Sequence, residues 1–502
     1  MISDAIDATD AGKRTVLAFY NARTVIGFSS VLPTVFSEGE YKCEGNNSET
    51  LIATENNEKF RLIIEQKQDK YYFTFTYLNS ENEEESKKIY SEEEILNTLE
   101  SRKSYYENKP ECKDSRYERL YAKCLSVNKV NVYSPSGKIT TRWTTPDRVP
   151  HRHMWLWDSV FHSLSIAEYN PELAKECLLA PLRLASSEGF ISHAMNTRGR
   201  ISNVTQPPIF AFGVWNVYEK TGDKAFIAEC APYIDRFLSW CMTNRDKNGN
   251  GLLEWWTDPI TPECRCGESG LDNSPRFDFD SDLDAVDFTT YLANDLNTMA
   301  KIYRELGDSE RRGYYEEKYS LIRARMNELL WDEVDGLYYD RTFDGELTRV
   351  MTSASFLPLF AGIPDEERAR RMLNTLLSED KFYTKMPIPS ISKDSPLYEL
   401  DMWRGCTWLN INYLIMIGLK KYGFFEVLDE LCDRTLSGVY KWYEKTGNIF
   451  EFYDADDEVN PFMLNRKGPA LKIPDYRAHV HSITDYNWSA SITMLLINKI
   501  IL

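Results

Sequence analysis

Two textures of apolar and polar residues divide the chain. Between about Lys13 and Leu78 the pattern is that of strands: Thr15-Val16-Leu17-Ala18-Phe19-Tyr20, Lys59-Phe60-Arg61-Leu62-Ile63-Ile64 and the alternating Tyr71-Tyr72-Phe73-Thr74-Phe75-Thr76-Tyr77. The charged run from Asn79 to Lys88 reads as a turn or hairpin tip. Ser91-Glu92-Glu93-Glu94 has the form of a helix N-terminus, opening a connecting helix that runs to about Tyr106. Lys109-Pro110-Glu111 then marks a boundary, so residues 1–110 are expected to form a small N-terminal β-rich module and residues 111–502 a second domain.

Beyond Arg116 the spacing becomes helical. It predicts helices near 116–126, 158–169, 171–184, 207–220, 223–244, 284–306, 308–331, 353–361, 365–378, 405–422, 424–438 and 484–500. They follow one another in pairs. Some are charged on most faces, such as the one opening Asp308-Ser309-Glu310-Arg311-Arg312, whereas the stretch from Leu409 to Leu419 is apolar on most faces. Such alternation predicts two concentric layers. With no fixed-period sequence repeat, a closed barrel of six helical hairpins fits better than an open solenoid. The expected fold class is therefore mainly α, an (α/α)6 barrel preceded by a small β module.

Composition narrows the function. The 502 residues hold 59 Lys+Arg against 77 Asp+Glu, a formal charge of -18 with no basic block, which argues against nucleic acid or an anionic membrane as partner. No uncharged apolar run reaches membrane-spanning length and the first residues are acidic, so a soluble, cytoplasmic protein is expected. The 10 Cys are scattered, and Cys264-Arg265-Cys266, the one close pair, has no second pair at zinc-finger spacing. Aromatic residues make up 13% of the chain, with 12 Trp and 30 Tyr, enough to ask whether some rings stack on sugars.

Candidate chemistry lies in the loops. Gly267-Glu268-Ser269-Gly270-Leu271-Asp272-Asn273-Ser274-Pro275-Arg276 follows Glu254-Trp255-Trp256 and sets two carboxylates among turn-forming residues, near rings. A pyranose stacks on a ring while an acid reaches its glycosidic oxygen. Capping of helix amides is the plainer reading of such a loop. Further along come Trp155-Leu156-Trp157-Asp158-Ser159, the loop with His193, Asn196 and Arg198, then Thr205-Gln206-Pro207-Pro208. Asp401-Met402-Trp403-Arg404-Gly405-Cys406-Thr407-Trp408, Phe450-Glu451-Phe452-Tyr453 and Tyr486-Asn487-Trp488-Ser489 follow. Trp beside polar residues at successive helix starts would gather rings and carboxylates at one end of a barrel. Asp246-Lys247-Asn248-Gly249-Asn250-Gly251 imitates a calcium loop, but Thr257 stands where its last acidic ligand belongs. A Gly-rich turn is the preferred reading and a structural calcium the minority one. The pairs His151/His153 and His479/His481 lack an identifiable third ligand, so no metal site is expected.

The ordered series Trp157-Asp158-Ser159, Thr205-Gln206-Pro207-Pro208, Glu268-Ser269-Gly270-Leu271-Asp272-Asn273-Ser274-Pro275, Thr352-Ser353-Ala354-Ser355-Phe356, Trp403-Arg404-Gly405 and Phe450-Glu451-Phe452-Tyr453 resembles glycoside hydrolase family 63 and, more distantly, the trehalases of family 37. The resemblance spans about Arg116 to Leu502. It implies an (α/α)6 barrel that hydrolyses α-glucosidic or, in some branches, α-mannosidic bonds with inversion. It also implies Asp272 as general acid and Glu451 as general base, with Trp157, Asp158, Gln206, Glu268, Trp403 and Arg404 lining the sugar pocket. Trp408 and Trp488 are carried over from motif context. Cys406, where relatives often have Pro, and Cys264-Arg265-Cys266 depart from the pattern.

The expected function is an inverting glycoside hydrolase that removes a terminal α-linked glucose from a small glucoside or short oligosaccharide, with no cofactor required. Glu268 is expected to bind sugar and to help keep Asp272 protonated. The alternative is a mannosylglycerate or glucosylglycerate hydrolase, with His193, Arg198 or Arg276 available to an anionic aglycone. From other classes, a non-catalytic sugar-binding barrel would hold glucose without hydrolysis, and a sugar epimerase would need His bases in its cavity. Sequence leaves the oligomeric state and the role of the β module open.

Overall fold

The computed structural model describes residues 4–34, 41–46, 48–54, 58–79, 82–107, 109–258, 260–261, 264–278, 282–468 and 481–502. The chain divides into two compact units, Met1–Pro110 and Glu111–Leu502.

The first unit is an antiparallel sheet of β1 (Ala5–Asp10), β2 (Lys13–Phe19), β3 (Thr24–Ser29), β4 (Tyr41–Gly45), β5 (Glu49–Thr54), β6 (Lys59–Lys67) and β7 (Lys70–Tyr77). Their order is β1-β2-β3-β7-β6-β5-β4. Alternation sends Val16, Ala18, Ile26, Phe28 and Tyr72 to one face, where they bury Ile95 and Leu99 of helix α1 (Glu92–Glu107). Ser91 caps that helix reciprocally: its hydroxyl accepts from Glu94 N at 3.2 Å while its own N–H donates to Glu94 Oε2 at 2.8 Å. In the expected charged turn, the described residues include a single 3-10 turn, Glu85–Lys87.

The second unit holds, among the described residues, α2 (Glu118–Val130), α3 (Leu156–Ile166), α4 (Pro171–Leu182), α5 (Phe210–Thr221), α6 (Lys224–Asn244) and α7 (Val286–Leu306). After them come α8 (Ser309–Leu329), α9 (Pro358–Ala361), α10 (Glu366–Leu376), α11 (Leu409–Lys421), α12 (Phe425–Thr446) and α13 (Asn487–Ile497). Neighbouring contacts run α3–α5–α7–α9–α11–α13 and return from α13 to α3, so alternate helices form a closed cycle. The intervening helices lie outside it, with α4 against α3, α6 against α5, α8 against α7, α12 against α11 and α2 against α13. Burial separates the layers. Every residue of α3 and α13 is buried, but α8 buries only Tyr315, Ile322 and Met326.

Hydrogen bonds reinforce the closure. Asn128 Nδ2 of α2 donates to Asn487 Oδ1 at 2.7 Å and to Ser491 Oγ at 3.0 Å, both on α13, and Ser165 of α3 donates to Asn128 Oδ1 at 2.9 Å. The architecture places the motif residues at one set of helix ends: Trp157 and Asp158 open α3, Trp408 precedes α11 and Trp488 lies in the first turn of α13.

Candidate active site

A cavity of about 190 Å³ lies at these helix ends. Its lining includes Trp157, Asp158, Gln206, Asp272, Trp403, Trp408, Glu451 and Trp488, eight of the ten residues singled out from sequence. Glu268 and Arg404 do not line it. His151, Trp155, His193, Cys264, Met402, Arg466, Lys467 and Tyr486 complete much of the wall.

Tryptophans shape the chamber. Trp403 and Trp408 stack with ring centroids 3.7 Å apart and planes 6° from parallel, and Trp488 meets Trp157 edge to face at 5.5 Å. Trp408 Nε1 donates to Met402 O at 2.9 Å, which fixes its ring. Trp403 Nε1, Trp488 Nε1 and Asp158 Oδ1 are buried without a hydrogen-bond partner. Buried polar groups are nearly always satisfied, so these three suit the hydroxyls of a polar ligand. Asp158 is only 2% exposed, and burial, with Asp147 and Glu451 nearby, pushes its carboxyl well above the usual range.

The loop carrying Asp272 packs under Trp157. Gly270 adopts φ +74°, and a Cβ there would stand 2.3 Å from Trp157 Cζ2. Gly is needed twice over, for the backbone and for the ring. Gly270→Ala is expected to destabilise the protein by about 3 kcal/mol, from left-handed strain plus overpacking, read as a lowered urea midpoint.

Glu268 serves this loop from behind the wall. Its fully buried carboxylate accepts from Arg245 Nη2 at 2.6 Å, Thr205 N at 2.9 Å and Trp256 N at 2.6 Å. The expected sugar contact is therefore replaced by a brace, with its charge matched by Arg245. Arg404 likewise turns to Asp278 Oδ2 at 2.9 Å and Asn273 O at 3.3 Å, anchoring the chain beside Asp272.

Two cations that sequence reading passed over face the two motif carboxylates. Arg466 Nε donates to Glu451 Oε2 at 2.8 Å, and its Nη2 reaches Glu451 Oε1 at 3.3 Å and His151 Nε2 at 3.2 Å. His151 Nδ1 pairs with Asp147 Oδ2 at 2.6 Å, so a chain of polar contacts holds Glu451 in place. Lys467 Nζ lies 2.7 Å from Asp272 Oδ2. Burial would raise the Asp272 carboxyl, yet the Lys467 ammonium, its hydrogen bond and the Arg466 charge outweigh that and hold it below the ordinary carboxylate range. The expectation that Glu268 keeps Asp272 protonated is thus reversed: the nearest charge is positive.

Arg276, proposed for an aglycone, is 1% exposed and committed to Asp340 and Asp287 at 2.6–2.9 Å. Arg198 is exposed and outside the cavity lining, while His193 is in it. In the calcium-like loop Gly251 N donates to Asp246 Oδ2 at 3.0 Å, and Asn248 and Asn250 donate to Asp284 at 2.8 and 2.7 Å. Among the described residues no group of three His, Cys, Asp or Glu could hold a metal ion. His479 lies outside the described residues, and His481 Nδ1 is 3.2 Å from Leu464 O. No helix among the described residues is long and apolar enough to cross a membrane.

Carboxylates and tryptophans gathered around one small cavity are the equipment of sugar hydrolysis, and the class is that of the glycoside hydrolases. Residues 151–489 match the mannosylglycerate hydrolase MGH1-like glycoside hydrolase domain, and the chain belongs to that family. It is 28% identical over 396 residues to mannosylglycerate hydrolase MGH1 of Selaginella moellendorffii, covering 62% of this chain and 77% of that protein. The fold is shared with a solved GH63 mannosylglycerate hydrolase from Thermus thermophilus, in complex with Tris and D-glycerate (TM-score 0.60, 23% identity, 75% of this chain and 99% of that one). It is also shared with neutral trehalase Nth1 of Saccharomyces cerevisiae (TM-score 0.56, 16% identity, 76% and 79%). The resemblance to family 63, with trehalases more distant, accordingly holds.

Proposed function

We propose that the chain hydrolyses α-linked mannosyl- or glucosylglycerate inside an (α/α)6 barrel, with inversion and without a cofactor. The observation that carries this is the meeting of Asp272 and Glu451, far apart in sequence, in one cavity walled by five tryptophans. The glycosylglycerate alternative is preferred to the neutral α-glucoside reading, because relatives are named mannosylglycerate hydrolases and because the cavity is lined by two cations, Arg466 and Lys467.

The residues divide the work. Trp157, Trp403, Trp408 and Trp488 wall the sugar, while Asp158 and Gln206 meet its hydroxyls. Asp272 donates a proton to the leaving oxygen as the glycosidic bond breaks. Glu451 takes a proton from the water that attacks the anomeric carbon from the opposite face, and Arg466 with His151 fixes its orientation. The acidic, cytoplasmic character read from sequence belongs to the same proposal.

Product detection on a panel of mannosylglycerate, glucosylglycerate, α,α-trehalose and neutral α-glucosides tests the assignment. Hydrolysis of a glycosylglycerate ahead of the neutral sugars is expected. Tight sugar binding with no hydrolysis of any member would favour the non-catalytic barrel instead.

A further inference from the structure

As built, Lys467 neutralises the residue that has to act as an acid. We propose that Lys467 selects glycosides of 2-hydroxy acids: the aglycone carboxylate draws the ammonium away from Asp272, and only then is Asp272 free to serve as the proton donor. This rests on the reading of Asp272 as general acid.

The geometry is specific. In a 2-O-glycosyl-2-hydroxy acid the carboxylate sits on the same carbon as the glycosidic oxygen. A carboxyl group touching that oxygen therefore brings the substrate carboxylate within reach of an ammonium 2.7 Å from Asp272 Oδ2. Arg466 is not equally available, being held by Glu451 and His151. Lys467 is also placed deliberately by the backbone. It adopts φ +61°, a left-handed conformation that a side chain resists, and two bonds to Asp401 retain it: Lys467 N to Oδ1 at 2.9 Å and Gly468 N to Oδ2 at 2.7 Å. Asp401 also accepts from Asn273 Nδ2 at 3.2 Å, tying the lysine turn to the residue after Asp272.

The charges facing Asp272 fit the scheme. They are Lys467 and Arg466, with the Cys264 thiol and His193 beside them, and burial holds the His193 ring below its ordinary value. Once the substrate carboxylate engages Lys467, burial dominates at Asp272, which takes up a proton from solvent. That proton passes to the glycosidic oxygen as the C–O bond breaks. Water supplies hydroxide to the anomeric carbon and its other proton to Glu451, which returns it to solvent. One water is consumed, and a free sugar and a 2-hydroxy acid leave.

The test compares kcat/KM of the full chain on 2-O-glycosyl-D-glycerate and on the 2-O-glycosylglycerol of the same sugar, for wild type, Lys467→Met and Lys467→Arg, with calorimetry of D-glycerate and glycerol binding. Wild type is expected to prefer the anionic glycoside, and Lys467→Met to lower the anionic-to-neutral ratio by about 100-fold, with Lys467→Arg recovering part of it. D-glycerate, unlike glycerol, is expected to bind wild type and to bind Lys467→Met at least about tenfold more weakly. An unchanged ratio in Lys467→Met, or no anionic preference in wild type, overturns the inference. If no glycoside is hydrolysed, the hydrolase reading has failed but calorimetry still decides: Lys467-dependent glycerate binding upholds the carboxylate subsite, and absent or Lys467-independent binding overturns it.

Discussion

Asp272→Asn and Glu451→Gln are each expected to lower kcat by about 10²–10⁴-fold, the usual worth of a positioned acid or base. The two losses carry different signatures. A substrate whose leaving group needs no protonation, such as a glycosyl fluoride, recovers much of the Asp272→Asn loss, because the acid has nothing left to do. It does not rescue Glu451→Gln, since water must still be deprotonated. Both side chains are nearly isosteric with the originals, so unfolding midpoints should move little apart from the loss of the Lys467 and Arg466 pairings. Full activity of either variant on glycosylglycerate would remove that residue from the mechanism.

Arg276→Met is expected to cost about 3–5 kcal/mol of stability, the largest structural effect among the predictions, because it strands two buried carboxylates. Arg276 bridges Asp340 and Asp287, themselves 2% and 0% exposed, and Asp287 further accepts from Trp255 Nε1 at 2.8 Å. Burial alone would raise the Asp287 carboxyl, but the Arg276 charge holds it below its ordinary value. A depressed carboxylate stabilises the fold above its unfolded-state value and loses that contribution as pH falls. Without Arg276 the sign inverts: Asp287 is raised in the folded state and favours folding only while protonated. The deficit of Arg276→Met relative to wild type should therefore narrow as pH is lowered toward the carboxylate range, as measured by urea unfolding at a series of pH values. A deficit independent of pH would mean that lost packing, not stranded charge, is responsible.

What sequence could reveal followed from how local each signal is. Helical spacing is local, and the segments expected near 171–184 and 223–244 fold as Pro171–Leu182 and Lys224–Asn244. The segment near 353–361 breaks instead into a 3-10 turn, Ser353–Phe356, and a short helix, Pro358–Ala361, with Pro358 at its start. In the β module, Ala5–Asp10 escaped notice because a short strand with polar residues carries little period-2 signal. The motif carboxylates and tryptophans were legible because each belongs to a compact string of residues. Glu268 was misplaced for a physical reason: a carboxylate in a Gly-rich loop can turn either way, and only the fold shows Arg245 waiting on the other side. Arg466 and Lys467 gave no signal at all. They lie in an irregular segment without periodicity, and their partners Glu451 and Asp272 are tertiary neighbours.

In the proposed mechanism Asp272 and Glu451 act together on an α-linked glycosylglycerate by a single displacement. Proton NMR of the first sugar released from α-mannosyl- or α-glucosylglycerate, recorded before mutarotation, tests it most directly. The β-anomer appearing first, together with free glycerate, is the predicted result; the α-anomer appearing first, or no cleavage, would contradict it.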